Sequence, residues 1–234
     1  MPEYGALIFS GAVIALIGFG LSLPFSFKNL GKGSLWISLL LGLGCYFLIP
    51  VIQPSLQNWA LNLFPSDASL IFKNITLALL SGVLQELIKF LFILPFKFPS
   101  FKALLSVGAM LGMGFGLGES FYILYSIRNL TYSMPAFVFF LDRASSLLLH
   151  ISLGFILAYG LKRNRTLIVL PAAMLLHSGF AFLSLLHTDK KLSLWATVLT
   201  ALGASLALLL FSVFLFLKDQ REASVRLKKA GSGN

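Results

Sequence analysis

Seven stretches of this chain stay apolar for twenty residues or more: 5–27, 34–53, 69–94, 103–126, 134–160, 166–186 and 193–217. About 20 apolar residues carry one helix across a bilayer. In lipid, every backbone N–H and C=O must find its partner inside the protein, which leaves only helices and closed barrels. The runs are about twice the length of barrel strands, so the expected class is all-α: a polytopic membrane protein built as a seven-transmembrane-helix bundle. Composition agrees. Of 234 residues, 58% are hydrophobic and 11% charged, too little polar surface for a water-soluble domain. No repeat or linker divides the chain, which reads as a single domain over 1–234, with its chemistry on the helices at about 69–186.

Lysines and arginines orient the bundle. Lys28, Lys32, Lys97, Lys102, Lys162, Arg163, Arg165, Lys218, Arg221, Arg226, Lys228 and Lys229 fall on one side of a seven-span topology. Only Lys73, Arg128, Lys190 and Lys191 fall on the other. The positive-inside rule then puts the N-terminus outside and the C-terminus in the cytoplasm, with 218–234 as a basic tail. Gly231 to Asn234 reads as an appended remnant without functional weight. The first stretch follows an acidic start, lacks a small-x-small cleavage pattern and is read as a retained helix. Pro54 to Pro65 is too polar to span, and Trp59 within it suits an interfacial turn. The net charge of +10 does not imply nucleic acid, because no basic face with interleaved aromatics is present. The single cysteine, Cys45, lies in an apolar run and reads as a small packing residue.

Against this background a few polar groups stand out. Glu86 and Lys89 lie inside the third stretch, where each charge costs about 2.5–3.5 kcal/mol on insertion scales. Three positions apart, they share a helix face and can pair. Such a pair can simply lock the bundle, or Lys89 can hold a carboxylate ionised to activate water. Glu119 has no basic residue at helical spacing and must meet another helix, be protonated or bind a cation. Tyr122, three residues on, can reach it from the same face, and Gln85 can add a hydrogen bond near Glu86. His150 shares a face with Arg143 and Ser146, and Arg143 can meet either Asp142 or a carboxylate on a neighbouring helix. His177 follows on the next stretch, while His187 beside Asp189 reads as interfacial. By helical rise, Glu86, His150 and His177 form a layer roughly 12, 15 and 16 Å from the cytoplasmic helix ends, with Glu119 displaced to about 24 Å. Before it, Gly108, Gly112, Gly114, Gly116 and Gly118 make small-xxx-small pairs that favour close helix packing.

Gln85-Glu86-x-x-Lys89, Phe115-x-x-x-Glu119, then His150 and His177 on the two following helices, resemble the motifs of the glutamic-type intramembrane protease superfamily. The YhfC-like and PrsW-like branches fit best; the CAAX prenyl proteases and the Aph subunit of gamma-secretase are related. Relatives often have a Glu-Glu pair where this chain has Gln85-Glu86. At the position of Glu119 the CAAX branch has histidine and the PrsW branch glutamate. Four residues after its last histidine the CAAX branch has Asn or Asp, where this chain has Ala181 after His177 and Gly154 after His150.

The resemblance implies an intramembrane endopeptidase, multi-pass in a prokaryotic cytoplasmic membrane, cutting a membrane-protein or membrane-associated peptide substrate. Glu86 would then be the general base, with His150 orienting the water or relaying its proton and His177 donating to the oxyanion. Lys89 and Arg143 would position the carboxylates, with Gln85 and Tyr122 in support. Glu119 would share the base role or, protonated, donate a hydrogen bond. No cofactor is expected. The alternative is zinc on Glu86, Glu119, His150 and His177, although no tight zinc spacing such as His-Glu-x-x-His occurs. A non-catalytic scaffold like the Aph subunit and a proton-coupled transporter are the rival functions. The absence of lysine in 193–217 argues against a retinal-type receptor, and the lack of a serine in a recognisable nucleophile motif argues against a serine protease.

Overall fold

A computed structural model describes residues 33–65, 67–97, 103–127 and 135–231, together with Gly20. The expected first span at 5–27, Gly20 apart, lies outside the described residues, as do Lys28, Lys32, Lys102 and Arg128. Among the described residues the fold is all-α, with no strand. The helices are α1 (Gly33–Tyr46), α2 (Ile49–Leu61), α3 (Leu70–Ile93), α4 (Leu104–Ile127), α5 (Ala136–Lys162), α6 (Thr166–Thr188) and α7 (Leu194–Gly231). Because α1 and α2 form one run, six helical segments among the described residues are long and apolar enough to cross a membrane.

Two boundaries differ from the sequence expectation. Pro54 to Pro65 is no turn: α2 runs helical through Leu61 with Pro54 inside it. The break comes earlier, at Phe47–Leu48, where Pro50 has no N–H to offer the carbonyl of Tyr46 and its ring would clash there. Pro54 removes only one further bond, so the helix tolerates it. Gln57 Nε2 donates to the Leu77 carbonyl at 3.4 Å, tying α2 to α3. At the other end α7 runs on past 217 as one 38-residue helix. Asp219 and Glu222, three apart on one face, receive Lys162 and Arg163 from the α5–α6 turn at 2.6–3.1 Å.

The helices are ordered around α5, which packs against α4, α6 and α7; α1 covers the far side of α4, and α3 pairs with α6. Helices α4 and α5 are the most enclosed, whereas α6 and α7 turn Leu167, Ile168, Leu210 and other large apolar side chains outward. Serine hydroxyls fasten α7 to α5: Ser205 to the Ser145 carbonyl at 2.8 Å and Ser212 to that of Ser152 at 3.5 Å. Asn74 of α3 bonds Asp189 beyond α6 at one end of the bundle. Lys97 bonds Asn164 at 3.1 Å at the other.

The glycines of α4 divide between two neighbours. Side chains at Gly108, Gly112 and Gly116 would run into α5, at Gly154, at the His150 carbonyl and at Leu147. At Gly114 and Gly118 they would run into α1, at Leu39, Leu43 and Tyr46. Gly154, four residues after His150, is itself taken up by this packing against Gly108 and Gly112. Gly112→Ala drives a Cβ into a backbone carbonyl that cannot yield, so it should destabilise the fold by about 1–3 kcal/mol. Gly44→Ala meets nothing within 4 Å and should be neutral or stabilising by up to about 1 kcal/mol. Thermal unfolding of the two variants in the same detergent measures the contrast.

Candidate functional site

Each carboxylate of the site stands one turn after a glycine that admits its partner helix. On α3, Gly82 lies so close to Met174 and Ser178 of α6 that a Cβ would collide with both. Four residues on, the Glu86 side chain meets α6 directly, with His177 Nδ1 2.5 Å from Oε1. On α4, Gly116 packs on the His150 ring, and Glu119, three residues later, reaches His150 Nε2 at 3.3 Å.

Lys89 joins these two halves. Its ammonium lies 2.5 Å from Glu86 Oε1 and 3.1 Å from His150 Nδ1, and it is fully buried. It also sits 5.1 Å over the Phe115 ring, which packs 5.0 Å from the His150 ring. The ammonium can only donate, so His150 Nδ1 accepts; the ring proton is then on Nε2, directed at Glu119. The same reasoning gives His177 an Nδ1–H donated to Glu86, and its Nε2 makes no hydrogen bond among the described residues. The imidazole rings lie 5.2 Å apart.

Glu119 has partners of its own. Ser146, one turn before His150, donates to Glu119 Oε2, and Arg143 Nη1 lies 3.4 Å from the same oxygen. Arg143 Nε and Nη2 both bond Asp142, at 3.0 and 2.6 Å. Glu119 therefore stands beside His150, in contact with it, rather than about two turns beyond it as helical rise alone suggested, and His150 uses one ring nitrogen toward Lys89 and the other toward Glu119. All four expected site residues, with Lys89 and Arg143, form one polar chain across an apolar bundle.

Two supporting residues take other places. Tyr122 makes no hydrogen bond to Glu119; its ring lies 6.1 Å from that of Tyr46 on the outer side of α4. Gln85 points away from Glu86, as the 100° helical step dictates, and its Nε2 bonds Ser81 Oγ at 3.1 Å. Ser81 went unnoticed in the sequence, although a serine four residues before a glutamine is a readable helical pair. His187 caps the α6–α7 turn by donating from Nδ1 to the Leu192 carbonyl at 3.1 Å.

A cavity of about 110 Å³ opens beside this chain, bordered by Ser81, Gln85, Glu119, Arg143, Ser146 and His177 among others. A second chamber of about 230 Å³ shares Asp142, Arg143, Ser184 and Thr197 with it and extends to His187 and Leu194 at the α6–α7 end. Glu86 borders neither chamber. It lies behind His177, its Oε1 occupied by two donors and its Oε2 buried without a partner.

Ligand atoms of Glu86, His150 and His177 lie within 4.8 Å of one another, and Glu119 is not among them. Three such ligands suit zinc at about 2.0–2.2 Å from each. An ion bonded to both Glu86 and His150 Nδ1 would fall where the Lys89 ammonium stands, so the two cations exclude each other. Lys89→Ala should leave Glu86 buried and uncompensated, at a cost of about 3–5 kcal/mol. Adding zinc should recover much of that stability, with about one ion per chain by metal analysis; the native protein should gain neither. Thermal unfolding with and without zinc reads both effects.

Comparison with known proteins yields no match to a family model, a curated protein or a solved structure.

Proposed function

We propose that the chain is a membrane-embedded hydrolase that cuts a peptide bond in or beside a membrane segment of another protein. In this reading the bundle has seven spans, an outer N-terminus and a cytoplasmic basic tail, so the two chambers open toward the outer face. The observation that carries the proposal is the Glu86–His177 pair at 2.5 Å, with the imidazole bordering a polar cavity that the carboxylate does not reach.

Glu86 then acts through the imidazole. His177 takes the proton of a cavity water at Nε2, while Glu86 holds Nδ1–H and stabilises the imidazolium that forms, the logic of a carboxylate–histidine pair in hydrolases. The hydroxide adds to the substrate carbonyl, and the imidazolium returns its proton to the leaving amine. Lys89 keeps Glu86 ionised in an apolar surrounding, and His150 links that charge to Glu119. No metal takes part in this reading: the Lys89 ammonium bonds both Glu86 and His150, two of the three members of the buried ligand group found among the described residues.

A second reading has one observation in its favour. Glu86 and Lys89 are fully buried and neutralise one another, as expected of a scaffold that uses its polar groups only to fix helix packing.

Fragments of membrane proteins that appear with the native chain should vanish with both Glu86→Gln and His177→Gln, each slowing cleavage by about 10²–10⁴-fold. A proteome-wide search for new termini in cells carrying each variant, with a chelator arm that leaves cleavage intact, tests this. Fragments that persist with both folded variants remove the hydrolase reading. A Glu86→Gln chain that keeps its function in cells while its stability or partner assembly changes favours the scaffold.

A further inference from the structure

The larger chamber, about 230 Å³ at the α6–α7 end, is rich in hydrogen-bond acceptors and poor in donors. Asp142 receives Arg143 through Oδ2 alone; its Oδ1 makes no hydrogen bond among the described residues, and the side chain is 28% exposed. His187 spends its Nδ1–H on the Leu192 carbonyl, which leaves Nε2 a lone pair without a partner among those residues. Thr188 and Thr197 give their hydroxyl hydrogens to the carbonyls one turn back, of Ser184 at 3.1 Å and Ser193 at 3.0 Å. Ser184 directs its own to Phe180 at 3.5 Å. The oxygens of all three keep lone pairs to offer. The strong donor on the wall, Arg143, is already committed, with Nε and Nη2 on Asp142 and Nη1 3.4 Å from Glu119. Charge points the same way. Around the two chambers Glu119 and Asp142 stand against Arg143, two carboxylates against one guanidinium, which leaves one net negative charge when the imidazoles are neutral.

We propose that this chamber takes the basic side chain of a substrate, the ammonium of lysine or the guanidinium of arginine, so that the bond cut lies beside a basic residue. Both groups donate hydrogen bonds and accept none, the complement of a wall of acceptors. A cationic donor also bonds a carboxylate about twice as strongly as a neutral one does. Ile123, Phe139, Leu194 and Val198 complete the lining and suit the methylene stem that such side chains lay along apolar surface. The smaller chamber shares Asp142, Arg143, Ser184 and Thr197 with the larger and is bordered by His177. A side chain seated in one therefore keeps its backbone near the other. In lipid the same cation would be costly.

The inference rests on the hydrolase reading for the source of the cation, and its main test reads binding alone. The probe is acetyl-Leu-Leu-Lys-Leu-Leu-amide, compared with the same peptide carrying norleucine, which has the stem without the charge. Affinity comes from melting-temperature shifts of the purified full chain in a maltoside detergent. The native protein should bind the lysine peptide about tenfold more tightly. Asp142→Asn should bring the ratio near one. Thr188→Val, at an exposed position that folding tolerates, should lower it about threefold, and it alone decides if Asp142→Asn does not fold. Equal native affinity for the two peptides, no native binding of the lysine peptide, or a full preference in every folded variant overturns the proposal. A short-chain ethanolamine phospholipid, set against its choline counterpart, offers the same ammonium without a peptide. Asp142-dependent binding of that lipid with no lysine preference gives the chamber to a headgroup and overturns the substrate assignment. No lysine preference alongside Glu86-dependent cleavage removes this pocket and leaves the hydrolase. A lysine preference without cleavage of any protein does the reverse.

Discussion

The ammonium of Lys89 is the hinge of the arrangement. It enters a helical bundle with almost no other charge at its level and finds two partners, the Glu86 carboxylate and the unprotonated nitrogen of His150. Buried ion pairs survive only where geometry and extra hydrogen bonds offset the loss of water. Here the extra bonds come from His177 on Glu86 and from Phe115, whose ring face lies under the ammonium. Take the positive charge away and Glu86 loses its reason to be ionised, His150 loses its tautomer, and the link to Glu119 goes with it.

That pairing needs helices closer together than ordinary side chains permit. Gly82 lets α6 come down on α3, and the Gly108–Gly112–Gly116 edge lets α5 come down on α4. Between bilayer-spanning helices no hydrophobic force favours contact over lipid, so small residues and interhelical hydrogen bonds carry the association. Packing and chemistry are one requirement here: the close approach that brings helices together is what allows short carboxylate side chains to reach imidazoles across the gap. Gly154 shows the same economy. Its position after His150 is filled by the backbone of α4, so it has no place for a polar side chain.

The site has an inside and an outside, which bears on what it can do. Glu86, Lys89 and the far side of His177 are sealed; Glu119, Arg143 and Gln85 face the cavity. A sealed carboxylate acts on a substrate only through a neighbour, and His177 is the neighbour with a nitrogen to spare. The partly exposed Asp142–Arg143 pair borders both chambers.

Much of this was legible in the linear chain. Apolar run length determined the all-α class and the position of every described span, because backbone satisfaction in lipid is a local demand. Charges stranded in those runs marked Glu86, Lys89, Glu119, His150, Arg143 and His177, because each is too costly to stand there without a partner. Only the tertiary structure decided who met whom. Lys89 serves Glu86 and His150 together, His177 rather than Glu86 borders the cavity, Tyr122 stays outside, and Gln85 turns to Ser81. Those outcomes depend on the depth at which one helix slides past another and on the face it turns inward. Both are set by glycine contacts between segments tens of residues apart, and no periodicity within a single segment encodes them.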